Sequence, residues 1–220
     1  MMKRTPAAVL LGLVVLWPLL MSYDQVGRIF HEYGGLVVIV FVLCHVYAQK
    51  SWFIQWRRGR YTRYRWLQAI TTIGSIVCFI TIMMSAMMIS EYALPSIFFG
   101  SWIVFFHMLH LLSVHWGFLF VGLHIGLHLD VLRSRFMWWQ QLRRTSFFTG
   151  IDALLWLMAA YGVVTFINLN IVSYLMGVMH FAWHDETTSS ITTVIQYTSM
   201  GVLYIRLGRL VAISCRYNRY

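Results

Sequence analysis

The chain has 220 residues, of which 60% are hydrophobic and 11% charged, with a formal charge of +10. That composition excludes an ordinary soluble domain or a disordered tail and places the chain among membrane proteins. Its length accommodates about six spanning helices of roughly 20 residues each and no separate soluble domain. Three cysteines, Cys44, Cys78 and Cys215, sit singly and form no Cys-x-x-Cys pair. This argues against c-type haem attachment, a zinc site or a disulfide framework.

In chain order, Met1–Arg4 precede an apolar run from Ala7 to Met21. No small-x-small cleavage site follows it, and Trp17, Pro18, Met21 and Tyr23 are bulky, so the reading is a retained first helix rather than a signal peptide. A second helix is predicted from Ile29 to Gln49, followed by a basic loop over Lys50–Arg65. The third spans Trp66–Ser90 and ends in a segment punctuated by Pro95 and Gly100. The fourth is long, Ser101–Leu129, with a second basic loop after it. The fifth covers Phe147–Leu169, its end blurred by the apolar Ile171–Met179 stretch. A polar segment, His180–Ser190, then precedes a sixth helix over Ile191–Ile213. The expected fold is all-α, an integral membrane bundle of six transmembrane helices. Residues 1–132 are read as a four-helix core, and 133–220 as two additional helices.

With the N-terminus inside, all of the 17 Lys and Arg except Arg28 fall on inner segments. The positive-inside rule therefore puts both termini in the cytoplasm. The charge is a topology signal with some affinity for anionic lipid, and it gives no support to a nucleic-acid partner. No glycine fingerprint for a dinucleotide lies between a strand and a helix.

The second and fourth helices each carry two histidines 14 residues apart: His31 with His45, and His110 with His124. Fourteen residues return to within about 40° of the same face and advance about 21 Å. On the expected topology both helices run from outside to inside, which matches His31 with His110 near the outer face and His45 with His124 nearer the inner one. Four intramembrane imidazoles in two level pairs are what two bis-histidine haem b groups need as axial ligands, and such iron keeps no open position. The competing reading is four histidines buried for helix–helix hydrogen bonding. Gly34, Gly35, Gly117 and Gly122 fit close approach of a porphyrin or of a neighbouring helix.

His128 rivals His124 at the inner site, but its counterpart at the same offset from His31 is Gln49. His124 is preferred for the iron, with His128 as a propionate or quinone contact. His107 lies one turn from His110 as an alternative outer ligand. His115 is about 140° round the helix and reads as a packing or lipid-interface residue. His180 and His184 stand at i, i+4, a spacing open to a metal pair, to a quinone or proton-handling role, or to a solvated loop. Met83, Met84, Met87 and Met88 read as helix packing.

The motifs His31-Glu32, Lys50-Ser-Trp52, Arg58-Gly-Arg-Tyr-Thr62, His110…His115-Trp-Gly-Phe118 and Gly122-Leu-His124-Ile-Gly-Leu-His128 together resemble the flavinylation-associated cytochrome family over about residues 7–132. These are bacterial membrane b-type cytochromes whose domain was formerly of unknown function. The resemblance implies a bacterial inner-membrane protein in which residues 1–132 form a four-helix di-haem cytochrome b-like core, with sites at His31, His45, His110, His124 and His128. It implies electron passage across the membrane between a quinol or flavoprotein and an extracytoplasmic protein carrying flavin or haem. Two alternatives stand beside that expectation: an oxidoreductase acting directly on quinone or another small molecule, and a non-redox transporter or assembly subunit.

Overall fold

The computed structural model describes residues 5–56, 61–94, 102–134, 146–181 and 189–217. Among these residues regular structure is entirely helical: α1 (Ala7–Met21), α2 (Tyr23–Val26), α3 (Arg28–Ala48), α4 (Lys50–Gln55), α5 (Arg63–Ile89), α6 (Ile103–Ser134), α7 (Ser146–Asn168), α8 (Ile171–Leu175) and α9 (Ser190–Tyr217). Five of them, α3, α5, α6, α7 and α9, are long and apolar enough to cross a membrane. The expected first span is the shorter apolar α1, of 15 residues with Pro18 inside it. A helix of that length rises only about 22 Å, less than a hydrocarbon core of about 30 Å.

Local chemistry explains the breaks. Pro18 has no N–H to continue the α1 ladder, and the Ser22 hydroxyl donates to the Pro18 carbonyl as the helix ends. Gly27 then turns α2 into α3 with φ +80°, a region open to glycine. The result is a hairpin that lays α1 along α3. Thr62 caps α5 by accepting from the Arg65 amide, three residues on from the cap. The blurred end of the fifth span is a true break: Asn170 adopts the left-handed conformation that asparagine tolerates, and the short α8 follows. Part of the basic Lys50–Arg65 loop is helical, as α4.

Packing joins α1 to α3, α5 to α6, α6 to α9 and α9 to α7. At the α6–α9 crossing, a Cβ on Gly126 would strike the Ile205 carbonyl and the backbone of Gly208, and one on Gly208 would strike the Leu123 carbonyl. Gly122 lies against Tyr204 in the same way. Close approach of this kind drives association between membrane helices, where the hydrophobic effect does not. A buried cluster of Phe118, Ile171, Tyr174, Met200 and Tyr204 ties α6, α8 and α9 together. Helices from both sides of residue 132 thus share one bundle. In contrast, α3 packs closely on α1 alone among the long helices and exposes Ile29, Tyr33, Leu36, Val40, Leu43 and Tyr47, the stripe expected of a lipid-facing surface.

Candidate functional site: two levels of paired histidines

The two histidine-bearing helices, α3 and α6, do not build the site by packing tightly on each other. Each has its own supporting helix, and the supporting helix orients its histidines. On α3, His31 Nδ1 donates to the Leu20 carbonyl at 3.0 Å, and His45 Nδ1 shares a hydrogen bond with Thr5 Oγ1 at 3.3 Å. Both partners come from the α1 segment. On α6, His110 Nδ1 meets Ser85 Oγ at 3.1 Å and His124 Nδ1 meets Thr72 Oγ1 at 3.2 Å. Both partners come from α5. Each step along one helix of a hairpin is matched by an equal step back along its neighbour, so one antiparallel register serves both levels.

Across the bundle, the rings of His31 and His110 lie 6.2 Å apart between centroids, with planes inclined at 69°. At the second level His124 is within electrostatic range of His45 and His128. The sequence-derived pairs are therefore brought together, and α3 and α6 run parallel.

Hydrogen-bond bookkeeping defines the tautomers at the first level. A carbonyl only accepts, so His31 carries its proton on Nδ1. Ser85 is fully buried, and its Oγ lies 2.8 and 3.0 Å from the Thr81 and Ile82 carbonyls, which only accept. With its one proton given to either carbonyl, Ser85 accepts from His110, which then carries its proton on Nδ1. In both rings the lone pair is then on Nε2, the arrangement found when a second group orients a metal-ligating imidazole. At the second level the partners are threonine hydroxyls, which donate or accept. Thr5 also receives the Gln49 amide at 3.2 Å, so Gln49, the residue that breaks the sequence repeat, serves the His45 partner rather than facing His128. His128 accepts at Nε2 from the Gln68 amide at 3.3 Å, and its ring lies 4.8 Å from that of His124. Its Nε2 is thus engaged by α5, whereas His124 is engaged at Nδ1.

The other histidines sort differently. His115 is buried, stacks on Tyr174 at 4.4 Å and donates from Nδ1 to the Leu111 carbonyl, a packing role as its position round the helix implied. His107 is exposed near Arg28 and Glu91. His180 is exposed beyond α8, and His184 lies outside the described residues. Among the described residues no three His, Cys, Asp or Glu side chains converge as a metal-binding group. Of the glycines, Gly34 adjoins the Leu20 side chain, Gly117 adjoins Cys78, Ile82 and Trp17, and Gly35 has open space where a Cβ would stand.

The residues fit bis-histidine haem on two observations. Two imidazoles bound across one iron, about 2 Å from each nitrogen, put their centroids about 6 Å apart, close to the 6.2 Å found for His31 and His110. The helix bearing His31 and His45 is also not closed down on its partner. One carboxylate secures this end of the bundle. Glu32 accepts from the Ser90 hydroxyl and from the amides of Glu91, Tyr92 and Ala93, at 2.8 to 3.1 Å, tying the start of α3 to the segment after α5.

Sequence reasoning found the histidines and missed Leu20, Thr5, Ser85, Thr72, Gln68 and the Glu32 clasp. Residues 68, 72 and 85 mirror 128, 124 and 110 across the α5–α6 turn, so polar residues at mirrored positions were the available signal. Comparison with protein-family models, curated proteins and solved structures gives no match.

Proposed function

We propose that the chain is a membrane-bound di-haem b-type cytochrome that passes electrons between a quinol or flavoprotein and an extracytoplasmic redox partner. His31 and His110 would hold the outer haem, and His45 and His124 the inner one, with both termini in the cytoplasm of the inner membrane. The observation that carries the reading is the set of four intramembrane imidazoles in two levels, each with Nδ1 engaged by a neighbouring helix. Packing alone requires no such repetition, and burying four histidines in a membrane is costly unless they are used. Bound haem would supply one-electron exchange there. The chain's own contribution is orientation: α1 and α5 set ring planes and tautomers, while the lipid-facing surface of α3 keeps water away from the pairs. The resemblance to flavinylation-associated cytochromes supports an extracytoplasmic flavin-carrying partner, and the basic inner segments support contact with anionic lipid.

The test is an optical spectrum of the purified protein, oxidised and dithionite-reduced, with a pyridine-haemochrome assay. A Soret band and two haem b per chain are expected. A colourless preparation from haem-replete cells would leave the histidines to packing or proton handling, as in a transporter or assembly subunit.

A further inference from the structure

The two levels are held by unequal acceptors, and this bears on what each site does to an iron. At the first level His31 donates to a backbone carbonyl, which cannot donate in return, and His110 meets a serine whose one proton is drawn to the Thr81 and Ile82 carbonyls. The Ile82 carbonyl stands beside His110 as a second acceptor. At the second level both partners are threonine hydroxyls able to rotate, and one of them already receives the Gln49 amide. A firm acceptor on Nδ1–H gives an imidazole more imidazolate character, raises its basicity as a ligand and favours the oxidised metal. Histidines surround both levels, His107 and His115 near His110 and His45 and His128 near His124; the first level adds a carboxylate, Glu32, next to His31.

We infer that Ser85 and Thr72 are positioning residues that tune the two haem sites separately, and that the His31–His110 site is the one of lower reduction potential. This deepens the di-haem reading and rests on it. It assigns a thermodynamic polarity to the bundle: the end secured by Glu32 holds the more readily oxidised centre.

Potentiometric titration of the protein in detergent, followed at the reduced α band, tests it in the unmodified chain and four variants. The unmodified chain is expected to titrate in two waves. Ser85→Ala removes the committed hydroxyl acceptor and is expected to move the lower wave upward while the upper wave stays in place; Ser85→Thr restores it. Thr72→Val, nearly isosteric, is expected to move the upper wave alone, with Thr72→Ser as its rescue. Loss of second-shell partners typically weakens metal retention about 10–100-fold, so a variant that sheds one haem is also informative. If Ser85→Ala sheds one, the surviving wave must be the upper. A lower wave that moves with Thr72→Val, or waves that ignore both substitutions, overturns the inference while leaving the di-haem reading intact. Absence of any haem in the unmodified protein overturns the reading and the inference together.

Discussion

The level holding His31 and His110 and the level holding His45 and His124 use the same parts with different tolerance. At the first, a helix-terminal carbonyl, a fully buried serine and a carboxylate clasp hold the rings and the chain around them. Leu20 is free to accept because carbonyls in the last turn of a helix lack an intrahelical partner. At the second, the partners are hydroxyls, an additional histidine lies alongside with its ring tilted, and two glutamines complete the network. The first level is over-determined; the second has interchangeable partners. One fold can therefore hold two copies of a site and still make them different, because the ligand helices repeat their histidines while the supporting helices do not repeat their acceptors.

The largest effects should come from removing a ligand. His110→Ala is expected to halve the haem content by pyridine haemochrome and leave the second level loaded. His124→Ala should also remove one haem, whereas His128→Ala should leave both, because the His128 Nε2 is taken by Gln68. The opposite result at 124 and 128 would assign the iron to His128 and make the second level the one with a movable ligand. Next in size is a packing change beside that level. Gly126 is two residues beyond His124, and a side chain there meets α9 backbone that cannot yield. Gly126→Leu should cost about 3 kcal/mol or more, read as a lowered thermal midpoint by fluorescence-detected size exclusion, with second-level haem lost before first-level haem. An unchanged midpoint would show that the α6–α9 crossing is looser than its glycines imply.

Helix content, span positions and the pairing of histidines were legible in the sequence because each rests on a period or a length: apolar runs set the spans, and a 14-residue repeat returns to one helical face. The boundaries shifted by one to five residues, as with Arg63 for Trp66 at the start of α5 and Ser134 for Leu129 at the end of α6. Polar and basic residues extend a helix beyond the hydrophobic run that announces it. The first helix has the bounds its apolar run announced, Ala7–Met21; what an apolar count does not register is the turn at Gly27 that lays it along α3. The acceptors were not legible one at a time. Serine and threonine in membrane helices usually bond their own i−4 carbonyl, as Thr71, Ser75 and Ser85 do. Only the register against α6 singles out Ser85 and Thr72 from that background.

A smaller effect is expected at the clasp of the first level. One Glu32 oxygen receives the Ser90 hydroxyl and the Tyr92 and Ala93 amides, and the other receives the Glu91 amide. Glu32→Gln replaces one acceptor oxygen by an NH2 that must face an N–H or a hydroxyl, and it removes the charge that strengthens the remaining bonds. Hydrogen bonds to a charged group contribute about 1.5–3 kcal/mol each when buried. This partly exposed site should lose about 1–2 kcal/mol in all, with faster proteolysis near residues 90–94 and no change in haem count. Loss of the first-level haem in this variant would mean the clasp is needed for assembly of the pair, not only for its rigidity.

Smallest of all should be the ion pair beside that clasp. Arg28 and Glu91 meet at 2.7 Å, yet their side chains are 57% and 58% exposed. A pair so well solvated contributes at most about 1 kcal/mol and less in salt. Arg28→Gln should therefore leave both haem waves and the thermal midpoint within error at moderate ionic strength. On the proposed topology Arg28 is also the basic residue that the positive-inside pattern leaves on the far side of the membrane, so its removal should not invert the chain. A fall in stability comparable to that of Glu32→Gln would show that the two carboxylates of this end act as one network, with Arg28 holding the Glu91 segment in place for Glu32 to grip.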